Sequence, residues 1–161
     1  MGSFEFLNTG YEAIFCGLLA AFIAQFIKVI TYLCTHKKIN FKIFTTTGGM
    51  PSSHTAGVVA LSTAVGLIDG FDSIVFAVSL GFSLIVMQDA SGVRRAAGKT
   101  AATLNRLVDE FVQKNKEVKP YEALKELLGH TPLEVFCGMV LGIIVPLIIH
   151  NYGFMLISSL F

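Results

Sequence analysis

What most restricts this chain is where its charges are missing. Leu133 to Phe161 holds Glu134 and no other Asp, Glu, Lys or Arg; His54 to Ile68 and Ser73 to Gln88 hold none; Tyr11 to Cys34 holds only Glu12 and Lys28. A helix that crosses a bilayer needs about 20 apolar residues, with a range of roughly 17–25. The first and last windows meet that length, and the middle two sit at its short edge. Hydrophobic residues make up 53% of the 161 and charged residues 14%, against about 25% charged in a soluble domain. An ordinary soluble fold is excluded. The expectation is a single all-α domain, an integral membrane helical bundle of about four spans (residues 11–34, 53–69, 72–89 and 132–150) with a polar segment over 90–131.

The cations orient that bundle. Lys28 lies in the first span, Lys37, Lys38 and Lys42 in the first connector, and Arg94, Arg95, Lys99, Arg106, Lys114, Lys116, Lys119 and Lys125 in the 90–131 segment. The amino terminus, the Asp69–Asp72 turn and the carboxyl terminus carry none. The positive-inside bias puts both basic segments on the cytoplasmic side of the cell membrane and both termini outside. A cleavable signal peptide is not expected, because the amino terminus has no basic n-region. Cys16, Cys34 and Cys137 are odd in number and lie in apolar runs, so they read as small packing residues. His36 and His150 are given no role.

Within the polar segment, Lys99 to Val118 reads as an amphipathic helix, with Leu104, Leu107, Val108 and Phe111 on one face and Asn105, Arg106, Asp109 and Glu110 opposite. A shorter helix is expected over Tyr121 to Leu128. One or both would lie against the cytoplasmic face of the bundle.

Four groups of residues could carry chemistry at the polar mouths of the spans. In Gly48-Gly49-Met50-Pro51-Ser52-Ser53-His54-Thr55, the glycines can converge backbone N–H groups and Pro51 stiffens the approach. Ser52 or Ser53 is a suitable N-cap for the next helix, and such an N-terminus attracts anions. His54 falls in its first turn. The competing reading is a plain helix start with an interfacial histidine. In Gly129-His130-Thr131-Pro132-Leu133-Glu134, a carboxylate four residues on could orient His130 as a nucleophile. The same residues make a capping box, with Thr131 as N-cap, Pro132 at N1 and Glu134 at N3, and both roles can coexist. Asp89 to Lys99 brings Arg94, Arg95 and Lys99 directly after a span, as phosphate ligands or as an anchor for headgroups; Asp89 would orient a guanidinium. Lys28, one turn from Gln25, either snorkels to the interface or faces the bundle interior. No spacing is diagnostic of a metal, and no cofactor is expected.

Pro51-Ser52-Ser53-His54 resembles the Pro-Ser-Gly-His motif of the type-2 phosphatidic acid phosphatase and vanadium haloperoxidase superfamily, and His130-x-x-x-Glu134 resembles the end of its last motif. The fuller pattern runs through Val86-Met87-Gln88-Asp89-Ala90 to Arg94-Arg95, Leu104-Asn105 and Leu128 to Val135. It is similar to the small divergent membrane branch of that superfamily over most of residues 20–145. The resemblance implies an acid-phosphatase-like enzyme in which His130 is the nucleophile, Glu134 its orienter and His54 the general acid. Lys28, Ser52, Ser53, Arg94, Arg95 and Lys99 would bind the phosphate. The chain departs from the pattern at Ser53, where a glycine is usual, at Leu124, where the superfamily has arginine, and at Thr35-His36, in place of Arg-Pro. Arg94, Arg95 and Lys99 are expected to replace those arginines from another segment.

The function so expected is hydrolysis of a phosphate or pyrophosphate ester, of a lipid in preference to a soluble molecule, through a phosphohistidine. The alternative is a non-catalytic membrane protein that binds anionic lipid or a phosphorylated ligand. Its surroundings are the lipid bilayer, with no nucleic-acid partner. Four short spans make a thin bundle, which leaves room for a homodimer that completes the pocket wall.

Overall fold

The computed structural model describes residues 7–37, 49–114, 124 and 129–158. Gly48, Lys38, Lys42 and nearly all of the expected 121–128 helix lie outside them. The elements are α1 (Gly10–His36), α2 (Ser53–Asp69), α3 (Ile74–Gln88), a π-helical turn (Asp89–Val93), α4 (Arg94–Lys114) and α5 (Pro132–Ser158), with no strand among the described residues. The chain is a helical membrane bundle. Three continuous helical stretches are long and apolar enough to cross a bilayer: Gly10–Thr35, Ile74–Lys114 and Pro132–Tyr152. α2, with 17 residues, is about 26 Å long at 1.5 Å per residue.

α2 is the central helix, packed against α1, α5 and α3, and its small residues explain why. Lipid tails are as apolar as leucine, so helices in a bilayer associate through close backbone approach at small side chains. Ala20 and Ala24 of α1, Ala56 and Ala60 of α2 and Val145 of α5 form one buried cluster; Ala13, Cys16 and Ala64 form a second. Gly17 and Gly57 face each other so closely that a Cβ on Gly17 would lie 3.1 Å from the Gly57 carbonyl oxygen. A Cβ on Gly142 of α5 would come within 2.8 Å of the Ala56 carbonyl oxygen. The large apolar residues point the other way: Leu18 is 69% exposed and Ile74 83%. That inverts the soluble pattern and suits a lipid surround.

The polar segment departs from expectation at its start. Residues 89–98 are helical, so α3, the π turn and α4 make one rod of 41 residues, Ile74–Lys114. Ser91 Oγ donates to the Met87 carbonyl at 2.9 Å, and the Asp89 carboxylate accepts from Arg94 Nε at 2.6 Å, so local side chains support the turn that Gly92 would otherwise weaken. On α4 the polar face is exposed at Arg106, Asp109 and Glu110, as expected, but one residue of it departs. Asn105, expected on the solvent face, is buried, whereas Leu104, Leu107 and Phe111 are exposed. The reason is a specific pairing: Asn105 Nδ2 donates to the Leu124 carbonyl and Asn105 Oδ1 accepts from the Leu124 N–H, both at 2.9 Å.

At the opposite end of the bundle, Glu12 of α1 is 1% exposed. Its Oε1 lies 2.8 Å from His150 Nδ1 of α5, and its Oε2 accepts from the Asn8 N–H at 2.7 Å. His150, given no role from sequence, therefore closes α5 onto α1.

Candidate functional site

The site begins where the start of α2 meets the start of α5. Gly49 has φ +83°, a left-handed conformation open to glycine, and it packs over the aliphatic stem of Lys28, whose Cδ would lie 3.8 Å from a Cβ there. Ser52 caps α2: its buried Oγ accepts from the Thr55 hydroxyl at 3.0 Å and the Thr55 N–H at 3.4 Å. Its own N–H donates to the Glu134 carbonyl at 2.9 Å, which ties the two helix starts together. Ser53 is buried and His54 exposed, side by side in the first turn.

His130 is placed from two sides. Its N–H donates to the Ala90 carbonyl of the π turn at 3.0 Å. The residue before it must be glycine for steric reasons, because a Cβ on Gly129 would collide with the Arg95 backbone nitrogen. After it the capping box forms as the residue types allow: Glu134 Oε2 accepts from the Thr131 N–H at 3.0 Å, and Thr131 Oγ1 accepts from the Glu134 N–H at 3.3 Å. The Glu134 carboxylate thus binds the helix start, and its influence on His130 is that of a nearby negative charge.

The two imidazoles meet edge to face, ring centroids 6.3 Å apart with planes at 80°. His130 is 3% exposed and Lys28 4%; His130 Nε2 and Lys28 Nζ are both buried without a hydrogen-bond partner among the described residues. Burial pushes the His130 imidazole below its ordinary value, the Lys28 charge pushes it further, Glu134 opposes, and His54 and Arg94 add to the fall. Lys28, His54, Arg94 and Glu134, drawn from four different helices, therefore all lie close enough to act on one imidazole. Asp89 holds Arg94 by the 2.6 Å ion pair. Arg95 joins through its backbone at Gly129, while Lys99 stands exposed one turn further along α4. Among the described residues no cluster of His, Cys, Asp and Glu suits a metal ion.

An apolar groove of about 540 Å³ opens beside His54 between α1 and α2, lined by Gly17, Leu18, Ala21, Phe22, Ser53 and Gly57 among others. A second, of about 400 Å³, lies between α2, α3 and α5 and is lined by neither histidine.

A model of the divergent PAP2 family matches residues 10–145, a range that contains every group just described. The chain belongs to the divergent PAP2 family. An uncharacterized membrane protein of Bacillus subtilis (strain 168), YuiD, is 46% identical over 147 residues, covering 86% of this chain and 92% of that protein. No solved structure matches the chain. This divergent PAP2 member is an integral membrane protein, by its family and by its apolar helices.

Sequence reasoning singled out both histidines, Lys28 and Arg94. It missed the Ala90 carbonyl, because a main-chain acceptor leaves no residue signature. It also missed Asn105, although an amide beside the leucine stripe of a helix was a visible signal. For Gly129 the signal was its place directly before His130.

Proposed function

We propose that this divergent PAP2 protein is a membrane phosphatase that hydrolyses a phosphate or pyrophosphate ester of a lipid through a phosphohistidine, with its site facing the cytoplasm. The observation that carries this reading is two buried nitrogens with no partner among the described residues, His130 Nε2 and Lys28 Nζ, the first on a ring that meets His54 and feels the Lys28 charge. Buried polar atoms are nearly always hydrogen-bonded, and an unpartnered imidazole nitrogen next to an ammonium suits a nucleophile that meets an anion. The N–H groups of Ser53 and His54, at the positive start of α2, are further donors for it. Ser52 supports them structurally, since its own polar groups bind Thr55 and Glu134.

In this mechanism the neutral Nε2 of His130 attacks phosphorus while the bond to the ester oxygen breaks. His54 delivers a proton to that departing oxygen. Lys28, Arg94 and the α2 N–H groups hold the non-bridging oxygens, where charge develops. Water, giving its proton to His54, then attacks the phosphohistidine and releases phosphate, which restores His130. The reading needs no metal or other cofactor. The groove supports a lipid substrate, since its wall is mostly hydrocarbon and Ser53 and His54 line it.

The test is phosphate release in detergent, with EDTA present, from phosphatidate and from polyprenyl pyrophosphate. Wild type is expected to release phosphate from at least one, and His130→Ala from neither. No release by wild type from either would sink the reading. The second reading, binding of an anionic lipid without turnover, draws on one observation: the Glu134 carboxylate is engaged by Thr131. Lipid binding that persists in His130→Ala, with no turnover in wild type, would favour it.

A further inference from the structure

α4 continues directly from the π turn and packs little against the other helices, yet it holds a buried amide, Asn105, against the main chain of Leu124. Two hydrogen bonds of 2.9 Å in opposite directions fix both the place and the orientation of that peptide. Leu124 lies six residues before His130. Gly129 seats on the Arg95 backbone, and the His130 N–H meets the Ala90 carbonyl. The approach to His130 is therefore pinned at three points along a single rod: Ala90 in the π turn, Arg95 in the first turn of α4, and Asn105 about three turns further on. α5 holds His130 from the other side through Thr131 and Glu134. Bonding both main-chain groups of Leu124 costs the helix an interior amide of modest helix propensity, and its burial among exposed neighbours calls for a reason.

We propose that Asn105 is a positioning residue for His130: it fixes the incoming segment so that the imidazole stays buried beside Lys28 and His54. The inference rests on the phosphatase reading only for its kinetic consequence, and its geometric consequence can be measured without any substrate. His130 is faced by Lys28 from α1, His54 from α2, Arg94 from α4 and Glu134 from α5, and burial is the largest influence on it. A segment released at Leu124 lets the imidazole gain water, so its titration moves up towards the ordinary histidine range.

The experiment is titration of the histidine ring signals of the full chain in detergent micelles by NMR. The protein has four histidines, and the His130 signal is assigned by its loss in His130→Gln. Wild type is compared with Asn105→Ala and with Arg106→Ala, which changes an exposed neighbour on the same helix. The expected result is an upward shift of the His130 titration in Asn105→Ala and none in Arg106→Ala. For any substrate that wild type turns over, kcat should fall about 10- to 100-fold in Asn105→Ala, with KM within about twofold. Should Asn105→Ala not give a folded protein, Asn105→Asp takes its place: it keeps the acceptor for the Leu124 N–H, loses the donor, and should shift the titration the same way by less. An unchanged His130 titration in the folded variant overturns the proposal, whatever happens to turnover. Absence of turnover in wild type counts against the phosphatase reading alone, and the titration still decides this one.

Discussion

The ring of His130 stands nearly perpendicular to that of His54, with centroids 6.3 Å apart, and the two come from the starts of α5 and α2, 76 positions apart in the chain. At that spacing the rings are not in direct hydrogen-bonding contact, and a phosphoryl group can be approached by both. The arrangement yields a pH signature. His130 must be neutral to attack, so the acid limb of kcat/KM reports its protonation. Lys28 lowers the affinity of His130 for a proton and Glu134 raises it. Lys28→Met should therefore move the acid limb to higher pH, and Glu134→Gln should move it to lower pH. Shifts in the same direction, read from pH–rate profiles of the two variants, would contradict the assignment.

Gly129→Ala tests the fit against α4. The added carbon would collide with the backbone nitrogen and Cα of Arg95, atoms that cannot swing aside. A loss of about 1–3 kcal/mol is expected from such overpacking, seen as a lower unfolding midpoint in detergent, together with a fall in kcat. A control at Gly81, where a Cβ would meet nothing within 4 Å, should change neither.

The Glu12–His150 pair predicts a different pattern. His150→Ala leaves the buried Glu12 carboxylate, among the described residues, with only the Asn8 N–H, and removing one hydrogen-bond partner of a buried group costs about 1–3 kcal/mol. Replacing both residues by leucine should recover most of that loss, since apolar substitution of a buried pair is often neutral or better. Comparison of detergent unfolding midpoints for the single and double variants decides it, and a double variant no better than the single would refute the account.

For the groove, Ala21→Phe places a ring between α1 and α2 beside Phe22 and Val58. It should raise KM for long-chain substrates about tenfold, the effect of roughly 1.4 kcal/mol, while leaving a short-chain analogue of the same headgroup unaffected. The matching change in the second groove, Thr63→Phe, should alter neither. Equal losses on long and short substrates would remove the groove from the binding reaction.

Orientation is open to direct labelling. With the three native cysteines replaced, a single cysteine at Lys114 should be protected from an impermeant maleimide in intact cells and react after permeabilisation. One at Ser3 should react in both. The reverse pattern would turn the site to the outside.

The features legible in the sequence are those that follow from what a bilayer demands. Uncharged windows around His54 to Ile68 and Leu133 to Phe161 mark helices because no other backbone satisfies its own hydrogen bonds in lipid. Thr131-Pro132-Leu133-Glu134 announced its capping box, and the motif histidines announced the site. The burial of Asn105 was not legible. Periodicity assigns the polar stripe to water, and only the return of the chain at Leu124 makes Asn105 the buried residue. Nor could spacing show that residues 89–98 continue a helix, because Gly92 and two arginines after a span read equally well as a loop.

The continuity of α3, the π turn and α4 has a mechanical side. The rod is about 60 Å long at 1.5 Å per residue, twice the roughly 30 Å of a bilayer's hydrocarbon. Ala90 stands a little short of midway, where the apolar α3 gives way to the polar α4. His130 hangs from that fulcrum. Any tilt of α4 about the turn would displace its tip at Lys114 most and Ala90 least, so the carbonyl that receives the His130 N–H sits where tilting would disturb it least.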